Sequence, residues 1–412
     1  MRIWLKYLIA MVIGAASAVF LPPESAGAQA LLDFVVELVM RFGRYTLLPV
    51  LFFSIATACF KLRDEKLMLK TGVWTFGTIL VSSFALMLLG LLSALIIRLP
   101  RIPITIEKVS EVPVFNWHSL LTKIFPYSGF EALIDGAYLL PCFVFAGLAG
   151  AGAASDKASS KPTVTLFDSL SQTCYIVMSF FTEILTVGMI AVMTRWTLNF
   201  MTVMKSGVYN YLILMLTADL LLVAFVIYPL VLRFLCHDLH PYRVLYASIT
   251  PFLVAFFSGD TNLTLALNLR HGKESLGIHR RVNAVSYPLF SIFGRGGAAL
   301  VQAVCFVLIL RSYSSLGISA TDVFWIAGMS FVLSFALGDI PCGGPFFAIT
   351  TMCIIYGRRF EAGYLLLKDA APIICAFAAG IDALTAMFGS YIVAVKTKMI
   401  TSKWQKGKKY HE

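Results

Sequence analysis

Between residues 251 and 300, two apolar runs are each broken at mid-length. The first breaks at Ser258-Gly259-Asp260-Thr261-Asn262 and the second at Gly294-Arg295-Gly296-Gly297. A bilayer-spanning helix needs about 20 consecutive apolar residues, and the halves of the first run are too short to cross alone. An Asp or Arg at the centre of such a helix costs roughly 2.5–3.5 kcal/mol on insertion scales. Irregular backbone persists at that depth only where protein or a watery cavity surrounds it. A half-length hairpin with a polar tip, followed by a helix broken at glycine, meets both conditions. The pattern returns at 331–350, FVLSFALGDIPCGGPFFAIT, where Gly338-Asp339 echoes Gly259-Asp260. Interrupted apolar segments at corresponding positions of two halves point to a transport site built from inverted repeats.

The rest of the chain agrees. Of its 412 residues 59% are hydrophobic and 13% charged, a balance foreign to soluble domains. The reading is an all-α polytopic membrane protein with eight transmembrane helices plus two re-entrant hairpins. The formal charge of +11 comes from short basic clusters between apolar runs. That distribution fits positive-inside topology and not nucleic-acid binding. Eight cysteines lie mostly within apolar runs and make no CxxC or metal-type spacing, so they read as small buried hydrophobes, Cys342 at a tip excepted. The N-terminus resembles a signal peptide as well as a first helix.

Helix two is expected over 31–60, with Arg41 and Arg44 snorkelling or facing a subunit contact. Helix three is expected over 71–97, and a long non-cytoplasmic connection then leads to a fourth segment rich in small residues. Helix five starts near 166, and helix six covers 209–235 with Asp219 inside it. The first hairpin follows, helix seven ends near 311, the second hairpin covers 323–356 and helix eight 364–395. Residues 1–235 therefore carry helices one to six, 236–400 the hairpins with helices seven and eight, and 401–412 a basic cytoplasmic tail. Both termini fall on the cytoplasmic side, where Lys and Arg are in excess. Lys406 is expected inside and Glu131 outside. The hairpins then enter from opposite faces and stop near the midplane.

Few charges lie deep in the second half: Asp260, Arg295, Asp339 and Asp382. They point to a site for a cation together with a small anionic or zwitterionic substrate. Tip N–H groups would receive carboxylate oxygens. Exposed carbonyls near Gly294 and Gly297 would receive the cation, with Asp339 and Asp382. The substrate contacts expected are Ser258, Gly259, Asp260, Thr261, Arg295, Ile340, Pro341, Cys342, Gly343 and Asp382. The blander alternative is that Arg295 and an Asp merely hold two helices in register. A second functional class is an intramembrane aspartyl protease, because SGDT and LGDI resemble a Gly-Asp catalytic motif. A third is a transport-inactive or channel-like protein.

LRHGKESLGIHRRVNAVSYPL and ALGDIPCGGP, with VLFFSIATACFKLRDEKLMLK and KPTVTLFDSLSQ, resemble the dicarboxylate/amino acid:cation symporters, the glutamate-transporter family. The similarity is collinear over nearly the whole chain. It implies a retained first helix and an inner (plasma) membrane homotrimer with elevator-type alternating access. Helices one, two, four and five would be the scaffold; three, six, seven, eight and the hairpins would move. The activity implied is cation-driven uptake of an amino acid or dicarboxylate, without catalytic residues or an organic cofactor.

The sequence departs from the family where the site should be. The family's NMDGT is Gly294-Arg295-Gly296-Gly297-Ala298 here. Its helix-eight DxxRTxxNxxxD places Cys375, Ala378, Ala379, Asp382 and Ala386 at the patterned positions. The Arg that grips a distal carboxylate and the last Asp that ligates sodium are thus absent. Arg295 is the candidate replacement for the cationic grip. The coupling ion is sodium or a proton, and the shortage of oxygen ligands favours the proton.

Overall fold

The computed structural model describes residues 3–20, 26–103, 116–134, 136–238, 240–313, 318–357 and 360–400, and the tail 401–412 with Lys406 lies outside them. The chain opens with α1 (Ile3–Phe20), which runs along a later 50-residue helix and is fixed to it where Tyr7 Oη donates to the Thr182 carbonyl at 2.6 Å. The expected second helix is two helices, α2 (Ala26–Arg44) and α3 (Leu47–Asp64), with a turn at Tyr45-Thr46. Next come α4 (Met68–Ile96), the short α5 (Trp117–Ile124) and α6 (Leu140–Ala153).

With 14 residues, about 21 Å at 1.5 Å per residue, α6 does not span a bilayer by itself. Just before it, Tyr138 and Leu139 are buried against the protein, whereas Tyr127, Phe130 and Ile134 further back are exposed. The 50-residue α7 (Lys157–Ser206) starts on an Asp156 cap, whose carboxylate accepts from the Ala158 and Ser159 N–H groups at 3.2 and 3.3 Å. It ends on Gly207 in the left-handed region.

Helix six of the sequence is α8 (Asn210–Leu222) and α9 (Tyr228–Cys236), joined by a π-helical turn at Val223–Ile227. Pro229 explains the turn. It has no N–H to give to the Phe225 carbonyl, and the Tyr242 hydroxyl donates to that oxygen instead, at 3.2 Å.

The first hairpin is α10 (Tyr242–Ser258) and α11 (Thr261–Glu274). Helix seven is α12 (Arg280–Phe293) and α13 (Gly296–Tyr313), broken at Gly294-Arg295 as the sequence suggests. The second hairpin is α14 (Ala320–Ala336) and α15 (Gly344–Tyr356), and α16 (Ala371–Lys396) closes the chain. At 13 to 17 residues, the hairpin arms are about 20–25 Å long, more than the half-length expected but less than a crossing.

Among the described residues eight helical stretches are long and apolar enough to span a membrane. They are not the eight crossings expected, because the first arm of the second hairpin qualifies once the turn through Asp339 is counted with it and α6 does not.

Nearly every residue of α11, α12, α13 and α16 is buried, so these form the core, with α4 packed along α13. Scaffold candidates α1, α2, α3, α6 and α7 pack mainly on one another, and α3 and α7 also touch the core. The end of α16 returns to the base of the first hairpin, where His279 N–H donates to the Met399 carbonyl at 3.0 Å. The base of that hairpin and the end of the last helix therefore lie on one face.

Candidate functional site

The two hairpin tips meet. Asp260 and Cys342 form an isolated antiparallel bridge, and Thr261 N–H donates to the Pro341 carbonyl at 3.3 Å. Gly259 takes φ +64°, a conformation that favours glycine, and this turns the chain at the first tip. Ser258 is spent locally, its Oγ donating to the Val254 carbonyl at 2.6 Å and accepting from Asp260 N–H at 3.2 Å.

Asp260 caps α11. Its Oδ1 accepts from the Asn262 and Leu263 N–H groups at 2.9 and 3.3 Å, and the side chain is fully buried. Its Oδ2 accepts from Arg44 at the end of α2, with Nε at 2.7 Å. Arg44 thus does not snorkel; it is the counter-ion of the first tip. Arg41 does remain on the surface, paired with Glu37 at 2.6 Å.

Asp339 is held elsewhere, accepting from Lys123 of α5 at 2.6 Å. The chain between α5 and α6 also reaches the first tip, where Asn262 Nδ2 donates to the Ala137 carbonyl at 2.8 Å and Ser291 Oγ to Asn262 Oδ1 at 3.1 Å. Asp260 and Asp339, the two Gly-Asp acids, each face a cation, Arg44 and Lys123.

The second break is built around Asp382 of α16. Its Oδ1 accepts from Gly297 N–H at 2.7 Å, placing a carboxylate at the N-terminus of α13, where the helix dipole favours negative charge. Gly297 is required for this approach: a Cβ there would stand 2.6 Å from the Ala378 carbonyl oxygen and 2.9 Å from Asp382 Oδ1. Gly294 N–H is bonded to the Phe290 carbonyl at 2.8 Å.

Arg295 is 3% exposed and Asp382 4%. Arg295 lies within electrostatic reach of Asp382, Asp260 and Arg44, yet it forms no ion pair among the described residues, and its Nε and Nη2 are buried without a hydrogen-bond partner. A buried guanidinium left this way is costly. Asp382 and Asp260 favour its charge from a distance, but none of the carboxylates bonds it: Asp260 is on Arg44, Asp339 on Lys123, and Asp382 Oδ1 on a backbone amide. Thr261 Oγ1 is likewise buried without a partner.

A cavity of about 410 Å³ reaches the tips from the other side. Ser258, Gly259, Cys342 and Gly343 line it together with Met40 of α2, Trp196 and Asn199 of α7 and Cys375 of α16. Arg295 and Asp382 are absent from its walls, so the closed tips end the cavity before the buried charges.

Of the residues singled out from sequence, Asp260, Thr261, Pro341 and Cys342 are brought together at the tip contact. Gly294, Arg295, Gly297 and Asp382 lie at the helix break. Ile340 bonds back to the Leu337 carbonyl at 3.0 Å within the second tip. Sequence reasoning missed Arg44, Lys123, Asn262 and Ser291 as tip partners. The one available signal was the cost of placing Arg44 in an apolar segment.

The profile of the sodium:dicarboxylate symporter family matches residues 3–399. The serine/threonine transporter SstT of Lacticaseibacillus paracasei is 24% identical over 375 residues, covering 84% of this chain and 79% of the relative. Neutral amino acid transporter B(0) of Oryctolagus cuniculus is 22% identical over 382 residues, covering 84% and 69%. Its counterpart in Rattus norvegicus is 27% identical over 135 residues, covering 33% and 23%.

Proposed function

The chain belongs to the sodium:dicarboxylate symporter family of membrane transporters, and we propose that it takes up a small amino acid, gripping the carboxylate with Arg295. The observation that carries this reading is the buried guanidinium whose Nε and Nη2 lack partners while each nearby carboxylate is engaged. A planar fork of this kind binds a carboxylate through two parallel N–H···O bonds. The bland role, an ion pair holding helices in register, would have put an Asp on Arg295. A neutral amino acid fits better than a dicarboxylate. Ala378 stands where the family carries the Arg that grips a distal carboxylate, and serine, threonine and neutral amino acids are what the relatives' names specify.

Asp382 lies within electrostatic reach of Arg295 but pairs with no cation at ion-pair distance among the described residues, and in this reading it balances a second positive charge, the substrate ammonium or the coupling cation. Sodium and a proton are both chemically suited. The few oxygen ligands at the break favour the proton, since a dehydrated sodium ion wants several. Access requires the contacts between tips to part, which makes the hairpins the two doors. Elevator movement, a homotrimer, residence in the inner membrane and cytoplasmic termini belong to the same reading and are supported by family membership.

Equilibrium binding tests it. Each hydrogen bond to a charged group contributes about 1.5–3 kcal/mol. Losing two in Arg295→Ala weakens binding of the preferred amino acid by roughly hundredfold or more. Isothermal titration of the purified protein with serine, threonine, alanine, glutamate and aspartate provides the comparison. Unchanged affinity in a monodisperse Arg295→Ala protein would remove Arg295 from the site.

A further inference from the structure

A second cavity, of about 480 Å³, lies between α4, α9 and α16, on walls the hairpin tips do not share. Its sides include Val73, Gly77 and Val81 of α4, Val231 and Leu235 of α9, and Ile392 of α16. Val73 and Val81 are 71% and 69% exposed, so the cavity is a groove open along the flank of the helices. The hydroxyls in its wall are already used. Thr78 donates to the Trp74 carbonyl at 2.7 Å, Ser82 to the Ile79 carbonyl at 3.1 Å, and Tyr228 and Thr385 bond to each other. The hydroxyls are thus satisfied within the protein, and an apolar chain loses nothing by lying along them.

One end of the groove is different. The lining face of α4 continues one turn back from Trp74 to Lys70, and that of α16 one turn on from Ile392 to Lys396. Lys396 Nζ stands 5.6 Å from the centroid of the Trp74 ring, and Lys70 is exposed. A tryptophan beside lysines, at the end of an apolar groove, is the arrangement found at membrane–water interfaces. The acid that follows on α9, Asp238, is turned to the Tyr391 hydroxyl at 2.7 Å and to the His240 N–H at 3.1 Å. The mouth therefore presents two lysines.

We propose that this groove is a binding site for one anionic phospholipid of the surrounding bilayer, its acyl chain along α4, α9 and α16 and its phosphate on Lys396 and Lys70. The volume holds on the order of a dozen methylenes, each about as large as a water's share of liquid, about 30 Å³. The charge at the mouth selects the headgroup, and the apolar wall selects the chain. The site does not depend on which solute is carried.

Native mass spectrometry of the full chain, loaded with phosphatidylglycerol or phosphatidylcholine, reads the site directly. One phosphatidylglycerol is retained with roughly a thirtyfold preference over phosphatidylcholine, the size expected when two lysines meet an anionic headgroup. The Lys70→Ala/Lys396→Ala protein loses that preference. Gly77→Leu fills the groove, because a Cβ at Gly77 points into open space with nothing within 4 Å, and it loses the retained lipid of either kind. Gly72→Leu, also in open space on α4 but outside the groove, keeps it and controls for the helix substitution. Equal retention of the two lipids by the unmodified chain means annular lipid only and overturns the proposal. So does a Gly77→Leu protein that keeps its phosphatidylglycerol.

Discussion

Removing Arg44 strands a buried carboxylate. Asp260 has a fully buried side chain whose Oδ2 faces Arg44 and whose Oδ1 is left with the Asn262 and Leu263 amides. Breaking a buried pair from one side costs about 3–5 kcal/mol. The Arg44 side chain is 24% exposed, so water reaches part of the gap and the lower end of that range applies, about 3 kcal/mol. Asp260→Asn strands the guanidinium instead, while asparagine still caps α11. Arg44→Ala/Asp260→Asn removes both charges and therefore costs less than the sum of the single changes. The expected coupling is about 1.5–3 kcal/mol, measured by SDS-unfolding titrations of the four proteins in mixed micelles. A coupling below about 0.5 kcal/mol, the usual error of additivity, would refute the claim that Arg44 holds the first tip.

Four further outcomes follow from the same geometry. Gly297→Ala drives a methyl into the Ala378 carbonyl and the Asp382 carboxylate, and costs about 1–3 kcal/mol in the same unfolding assay. Lys123→Ala, whose pair with Asp339 is 50% and 20% exposed, costs less than about 1 kcal/mol, and a larger loss would mean the α5 contact is structural. An imposed pH gradient drives uptake in sodium-free buffer, whereas strict dependence on sodium would assign the break carbonyls and Asp382 to a sodium site. A cysteine at Glu131 is labelled from outside and one at Lys406 from inside the cell, and labelling from the wrong face at either overturns the eight-crossing topology.

Hairpins and the helix break were legible because a bilayer tolerates so little. Ser258-Gly259-Asp260 and Gly294-Arg295 stand out wherever the surroundings must be apolar, and the structure breaks its helices at those residues. The partners were not legible. Asp260 meets Arg44 and Asp339 meets Lys123 across 216 residues each, and no local pattern records which helix a tip will face. Length misled at α6, which is too short to span alone, and at α14, which reaches the 20 residues of a span only with the turn that follows it. The break at Tyr45-Thr46 did carry a signal, since Pro49 has no N–H to give to the Tyr45 carbonyl and sits in the first turn of α3, but the apolar run continues across it. In α8 and α9 the signal was present in Pro229, but its consequence, a π turn relieved by Tyr242, needed the spatial neighbour.

Uptake into proteoliposomes bears most directly on Arg295. Radiolabelled serine, threonine, alanine, glutamate and aspartate are offered under a sodium or a proton gradient, to the unmodified protein, Arg295→Lys and Arg295→Ala. The prediction is concentrative uptake of a neutral amino acid by the unmodified protein, weakened in Arg295→Lys, which keeps the charge but not the fork, and lost in Arg295→Ala. Concentrative uptake by Arg295→Ala at the unmodified rate, or no gradient-driven uptake of any of the five, would contradict it.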